Sequence, residues 1–264
     1  MSEYLNSALY GWYPYVCLTV FAFGSLVRFD FAQYSWRSGS SQLLRRRQLR
    51  WGSNLFHVGI LVVIAGHFIG FLAPDWAVDW LISPAQHELL AMVVGGLAGL
   101  IAIIGLSLLI HRRWTDPRIR ATSRRWDMAI IVMLWAQLAL GLLTVPVSAM
   151  HMDGALFLTL VTYIKGIVTL HPGVSDALIG TPLIYRAHIL LGFTVFLVSP
   201  FTRLVHIWSA PIWYIGRSGF QIVRSRASVG GRARAEGLTM ARLLAKAGSA
   251  SPVHAKSPRS VKVD

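Results

Sequence analysis

Five apolar runs, each close to the length a helix needs to cross a bilayer, dominate this sequence: roughly 8–27, 54–73, 89–110, 128–146 and 183–208. A spanning helix takes about 20 mostly apolar residues. In hydrocarbon every backbone N–H and C=O must be satisfied inside the chain, so such runs are compatible with helices and little else. The expectation is therefore an all-α integral membrane protein built as a five-transmembrane-helix bundle. Composition agrees, with 55% hydrophobic and only 14% charged residues and a mean hydropathy of +0.55. Ten Trp and eight Tyr suit a chain that anchors aromatic rings at both membrane interfaces.

The charges set an orientation. Arg28, Arg37, Arg45, Arg46, Arg47 and Arg50 lie between the first two runs, and Arg112, Arg113, Arg118, Arg120, Arg124 and Arg125 lie between the third and fourth. The tail after Trp208 is also basic, whereas 74–88 has no Lys or Arg and 147–182 has only Lys165. Cytoplasmic loops carry the positive excess, so the N-terminus is expected outside and the C-terminus in the cytoplasm of a multi-pass membrane protein. The first run has no basic region ahead of it and no small-residue cleavage site, and is expected to be retained. The net charge of +14 is explained by these loops, and no nucleic-acid partner is expected, because a basic balance is only the first of several features such binding needs. Residues 1–226 form the expected membrane domain. The segment 147–182 is long enough for short interfacial helices. Residues 227–264 read as a basic cytoplasmic tail, with 233–247 able to form an amphipathic helix. The tail suits a solvated role, anionic membrane lipid or soluble partners.

Within two of the apolar runs stand four histidines: His57 and His67 in the second, His188 and His206 in the fifth. Ionisable groups in a membrane span are costly and are functional candidates by default. Imidazole is a strong axial ligand for haem iron, and pairs of helices can clasp such groups between facing side chains. The two helices run antiparallel, which matches His57 with His206 near the cytoplasmic face and His67 with His188 near the outer face. The intervals differ. Ten residues separate the first pair along the chain and eighteen the second, about 15 Å and 27 Å of continuous helix. The mismatch of roughly 12 Å would be absorbed by tilt, giving two haems that are not coplanar, with irons roughly 20 Å apart.

The lone Cys17 and the absence of a Cys-x-x-Cys-His string exclude thioether-linked haem and an iron–sulfur cluster held by this chain, leaving two b-type haems. Gly59, Gly66, Gly70 and Gly192 would admit a flat macrocycle, and Arg203 and Arg186 are candidates to pair with its propionates. His87, His111, His151, His171 and His254 lie at boundaries, in loops or in the tail. The same four histidines could instead be hydrogen-bonded packing residues, or a proton relay in a haem-free channel or transporter. Against a transporter, no inverted repeat or broken apolar run is evident.

Several strings resemble one known family: Tyr13-Pro-Tyr15, Phe29-Asp-Phe-Ala-Gln-Tyr-Ser-Trp-Arg37, Ser53-Asn-Leu-Phe-His-Val-Gly59, Gly66-His67-Phe68, Asp116-Pro-Arg-Ile-Arg-Ala-Thr122, Gly141-Leu-Leu-Thr144, His151-Met-Asp-Gly154 and Phe201-Thr-Arg-Leu-Val-His-Ile-Trp208. In their order and spacing, over about residues 4–225, they resemble the gamma subunit of respiratory nitrate reductase, a di-haem cytochrome b. The resemblance implies that quinol, menaquinol or ubiquinol, is oxidised at the periplasmic side. It implies electron flow from the outer haem on His67 and His188 to the inner haem on His57 and His206. From there electrons would pass to an iron–sulfur beta subunit and a molybdenum-containing alpha subunit that reduces nitrate to nitrite. His87 stands where the family's well-known example has a quinol-site Lys, and with Gly70 forms the candidate quinol site. A His can hydrogen-bond a quinol oxygen and take its proton; a plain loop histidine is the other reading. A related di-haem subunit of a sulfite- or heterodisulfide-reductase-type complex is the neighbouring alternative.

Overall fold

Segments that must satisfy their own backbone groups become helices, and the computed structural model consists of them. It describes residues 3–32, 44–78, 81–123 and 125–209; no strand occurs among these described residues. Five helices are long and apolar enough to cross a membrane: α1 (Glu3–Ala32), α2 (Arg46–Leu72), α3 (Pro84–Thr115), α4 (Arg125–Ala149) and, after the shorter α5 (Ala155–Val168), α6 (Leu183–Phe201). The tail from 227 onward, with 233–247 and His254, lies outside the described residues, as do Arg37 and Arg124.

The first four spans extend beyond the apolar runs by several residues at most of their ends, because charged and capping residues continue the helix into the interface. Ser83 starts α3 with a capping box: its Oγ accepts from the Gln86 N–H at 3.3 Å, and the Ser83 N–H donates to Gln86 Oε1 at 2.9 Å, with Pro84 at the first helical position. Asp116 ends α3 and caps the short turn Pro117–Thr122 by accepting from the Arg118 and Ile119 N–H groups. The loop after α4 holds the expected short helices, α5 and a 3-10 turn at Val174–Leu178.

α6 is the exception. A single helix over 183–208 was expected, yet it ends in a 3-10 turn at Ser199–Phe201, and the chain restarts as a second 3-10 turn at Arg203–Ser209. Pro200 lacks an N–H and crowds the preceding turn, and Thr202 adopts an extended conformation. The carbonyls freed at the break go to Arg28 of α1, which donates to Pro200 O and, at 2.8 Å, to Thr202 O. Gly24 lets α1 approach that far, since a Cβ there would lie 3.0 Å from Pro200 Cβ. His188 and His206 are therefore not on one continuous stripe, and the 27 Å interval does not apply. The helical part of α6 runs ten residues from His188 to Val198, the same count as His57 to His67, before the chain turns.

Packing divides into two cores. Tyr10, Cys17, Tyr163, Ile167, Val174, Leu178 and Phe193 join α1, α5, the Val174–Leu178 turn and α6. At their centre Tyr163 is fully buried, its hydroxyl donating to Tyr10 O at 2.9 Å. That carbonyl belongs to a π-helical stretch of α1, Ser7–Trp12, where the wider turn leaves acceptors free for other donors. Burial raises the Tyr163 phenol well above its usual pKa, keeping it a donor. Ala102, Leu106, Ile131 and Leu138 form the second core between α3 and α4, with Phe56 and Ile60 of α2 against it.

α2 packs most extensively on α3, and small residues make this possible. A Cβ on Gly59 would stand 2.5 Å from Ala98 O, and one on Gly105 would stand within van der Waals overlap of the Phe56 backbone nitrogen. This corrects the expectation for Gly59: it admits α3, not a macrocycle. The Cβ position of Gly192 is 3.2 Å from Gln137 Nε2 of α4, on the side of α6 that faces that helix. Without a hydrophobic force between helices in lipid, such close backbone contact is a main source of association. Gly59→Ala should destabilise the detergent-solubilised protein by about 1–3 kcal/mol, as overpacking does. Gly95→Ala, where nothing lies within 4 Å, should be neutral within about 0.5 kcal/mol; unfolding midpoints of the two variants check this.

Candidate functional site: paired imidazoles between α2 and α6

α2 does not pack extensively on α6, yet four imidazoles meet between them. The rings of His57 and His206 have centroids 6.3 Å apart at an interplanar angle of 69°, and those of His67 and His188 are 6.3 Å apart at 43°. The pairing by depth expected from antiparallel order is the pairing observed. The axial distance between pairs is set by the ten residues of α2, about 15 Å, rather than the average of two unequal intervals. The break in α6 removes the mismatch.

The spacing within each pair has a chemical meaning. An imidazole nitrogen binds a metal at about 2 Å, and its ring centre lies about 1.1 Å farther back, so two imidazoles on opposite sides of one metal have centroids about 6 Å apart. Three of the rings are also fixed in orientation. His57 Nδ1 donates to Ser53 O at 2.7 Å, His67 Nδ1 to Val63 O at 2.8 Å, and His206 Nδ1 to Arg203 O at 2.6 Å. A carbonyl only accepts, so the proton sits on Nδ1 and the lone pair is left on Nε2, the usual outer support of a metal-bound histidine. Among the described residues no cluster of three or more His, Cys, Asp or Glu exists; what the chain offers is two pairs, which suits a metal whose other ligands come from a macrocycle.

His188 differs. Its Nδ1 is buried without a hydrogen-bond partner, and its neighbour is Gln137 of α4, whose Nε2 donates to His188 O at 3.1 Å and lies 3.4 Å from His188 Nε2. Gly141, one turn further along α4, makes room for the ring: a Cβ there would stand 3.0 Å from His188 Cε1. Sequence reading gave neither residue a role at the site: Gly141 entered only within a matching string, and Gln137, an uncharged polar group in the middle of an apolar run, could have been singled out on that ground.

The arginines have protein partners. Arg203 meets Asp127 of α4 through Nε at 3.0 Å and Nη2 at 2.9 Å. Arg186 lies 5.0 Å over the Tyr10 ring and donates to Asn6 Oδ1. Near the other pair, a Cβ on Gly66 would meet nothing within 4 Å, the open surface expected for that glycine.

The two further candidates from sequence, Gly70 and His87, come together: a Cβ on Gly70 would lie 3.7 Å from His87 Nε2. Aromatic rings connect them to the His67–His188 pair. His67 lies 5.5 Å from Phe71, Phe71 6.1 Å from Phe157, and Phe157 4.7 Å from His87. Buried Glu88 pins this corner by accepting from the Gly154 N–H at 3.1 Å. Gly154 has φ +79, and a Cβ there would lie 2.8 Å from the Ala85 backbone, so only glycine fits. Among the remaining histidines, His111 engages Gln48 at 3.1 Å, and His151 and His171 are exposed.

The family described as nitrate reductase gamma subunit matches residues 6–226. The chain is 47% identical to the respiratory nitrate reductase 2 gamma chain of Escherichia coli (strain K12), over 86% of its own length and 100% of the relative. It is 45% identical to the respiratory nitrate reductase 1 gamma chain of the same organism, over 85% and 99%. With the nitrate reductase gamma chain of Bacillus subtilis (strain 168) it shares 36% identity, over 83% and 97%.

Proposed function

This chain belongs to the nitrate reductase gamma subunit family and is the multi-pass inner-membrane subunit of a respiratory nitrate reductase; from that premise we propose that it oxidises quinol near the periplasmic face and delivers the electrons to partner subunits at the cytoplasmic face. The family is one of cytochrome b subunits, and its name implies alpha and beta nitrate reductase partners. The finer reading assigns an iron–sulfur beta subunit and a molybdenum-containing alpha subunit, with the N-terminus periplasmic and the C-terminus cytoplasmic.

The observation that carries the proposal is the 6.3 Å separation of both imidazole pairs across two helices that are not extensively packed on one another. His67 and His188 are assigned as axial ligands of an outer b haem, and His57 and His206 as those of an inner one. When bound, the two haems supply one-electron carriers between quinol and the cytoplasmic partners. The chain's own work is to hold Nε2 of His57, His67 and His206 unprotonated through their Nδ1 hydrogen bonds and to seat the His188 ring between Gln137 and Gly141. Arg203 and Arg186 are assigned to propionates, each sharing its guanidinium with the protein group that already holds it; five N–H donors make that possible.

His87 is proposed to accept a hydrogen bond and then a proton from the quinol, with Gly70 keeping the approach open and Phe71 and Phe157 forming the apolar wall beside it. A neutral imidazole suits this base because its ordinary pKa lies close to neutrality. Proton release outside and electron delivery inside then separate charge with no moving part. Relatives that match over their full length are nitrate reductase chains, which favours nitrate over sulfite or heterodisulfide as the terminal acceptor.

Two outcomes are expected. His67→Gln, His188→Gln or Gly141→Leu should remove the outer b-haem signal alone, and His57→Gln or His206→Gln the inner signal alone, in low-temperature absorption spectra of the assembled complex. A purified chain with no b-type absorption would return the four histidines to a proton-relay role. Separately, His87→Ala should lower quinol-dependent nitrate turnover by about 100-fold, the scale of a lost general base, with haem content unchanged, while His87→Lys should retain turnover. Assays with quinol and with an artificial electron donor to the partner subunits separate that effect from damage elsewhere.

A further inference from the structure

Both α6-side histidines lean on the same third helix. At the cytoplasmic pair, His206 Nδ1 donates to the carbonyl of Arg203. That residue sits in a 3-10 turn with no regular helix to fix it, and its guanidinium is gripped through two atoms by Asp127 of α4. At the outer pair, Gln137 of α4 donates to the His188 carbonyl and lies against the ring. Asp127 and Gln137 are ten residues apart on α4, and His57 and His67 are ten residues apart on α2. Both intervals rise about 15 Å, so α4 presents a supporting side chain at the level of each pair.

We propose that α4 is the positioning helix of the two haem sites: Asp127, acting through Arg203, orients His206, and Gln137 orients His188. The inference rests on the haem reading above. α2 needs no such help, because His57 and His67 take their Nδ1 acceptors from the preceding turn of their own helix, at Ser53 and Val63. α6 cannot offer the same to both of its histidines. Its break at Pro200 leaves His206 on a 3-10 turn, and His188 Nδ1 is a buried donor with no acceptor. Gln137 Oε1 is a buried acceptor likewise without a partner. The two orphans are complementary, and their side chains touch, although at the opposite ring nitrogen: the Gln137 amide lies 3.4 Å from His188 Nε2. An unmade buried hydrogen bond is costly; with Nε2 given to a haem the ring proton would sit on Nδ1, and a rotation of the Gln137 side chain away from Nε2 would bring Oε1 to accept it. Gln137, which already holds the His188 carbonyl, would thus replace at the outer site the backbone carbonyl that supports the other three histidines. Asp127 supplies a charged anchor at the inner site and Gln137 a neutral one at the outer site, and such outer hydrogen bonds tune the iron they support.

The test is redox titration and low-temperature electron paramagnetic resonance of both haems in the assembled, membrane-bound complex, for wild type, Gln137→Leu, Gln137→Glu, Asp127→Asn and Asp127→Glu. Gln137→Leu should change the reduction equilibrium of the outer haem by about tenfold, 59 mV for a one-electron couple, and alter its resonance signal while leaving the inner haem as in wild type. Asp127→Asn should do the reverse. Gln137→Glu and Asp127→Glu, which keep an acceptor, should retain the haem on their side with a resonance signal closer to wild type. Loss of only the haem on the predicted side, with the other intact, supports the proposal equally, since removing such supports lowers metal affinity by about 10–100-fold. The proposal is overturned if Gln137→Leu and Asp127→Asn leave both potentials and signals unchanged, or if either variant shifts or loses both haems together. A wild-type complex lacking two b-haem signals would instead overturn the haem assignment itself.

Discussion

The ten-residue interval between His57 and His67 is the rigid measure around which this molecule is arranged. An α-helix has one rise per residue and resists stretching, so the two imidazoles of α2 are fixed about 15 Å apart along its axis. Whatever faces them must match that distance. A straight α6 would overshoot it by roughly 12 Å, and the chain solves the problem by ending the helix at Pro200 and turning His206 back on a 3-10 segment. Arg28 and Gly24 of α1 then exist to stabilise the break: one takes up the freed carbonyls, and the other lets the helix come close enough to do so. α4 keeps the same ten-residue interval between Asp127 and Gln137.

The second constraint is that the polar atoms of the site must be satisfied in an apolar medium. Each Nδ1–H that finds a carbonyl removes a desolvation cost and aims the opposite nitrogen at its partner helix. On α2 the carbonyl comes from four residues earlier in an intact helix, a local arrangement that hardly depends on the rest of the fold. On the α6 side the supports come from α4 and from the Arg203 turn. These two sides therefore differ in kind: the α2 histidines are oriented by their own helix, and those on the α6 side borrow their orientation. The slot between them is kept open because α2 spends its small residues, Gly52, Gly59 and Gly105 across the interface, on α3 rather than on α6.

Much of this was legible in the sequence. The five spans, the all-helical class and the helical outer loop follow from run length and from the lack of water to satisfy open backbone. The pairing His57–His206 and His67–His188 follows from antiparallel order alone. Gly70 and His87 were brought forward by resemblance, and they meet beside Phe157. The errors have one source, the assumption that a helix read from hydropathy continues unbroken. Hydropathy does not register Pro200 as a stop when apolar residues flank it on both sides, so the interval on α6 and the axial distance between pairs came out too long. Gly59 was misread for a related reason: a glycine near a ligand in sequence can face a neighbouring helix instead.

The sequence by itself determined which of the described segments are long and apolar enough to cross a membrane, that imidazoles lie within two of them, and which imidazoles pair. These depend on composition, run length and chain direction, all local or ordinal properties. Only the tertiary structure decided that the intervals become equal, that Arg203 turns to Asp127, that Gln137 and Gly141 surround His188, and that a file of rings joins His67 to His87. Those outcomes depend on which faces of separate helices meet. That is fixed by close backbone contacts and one proline break spread over distant parts of the chain, where no local pattern records them.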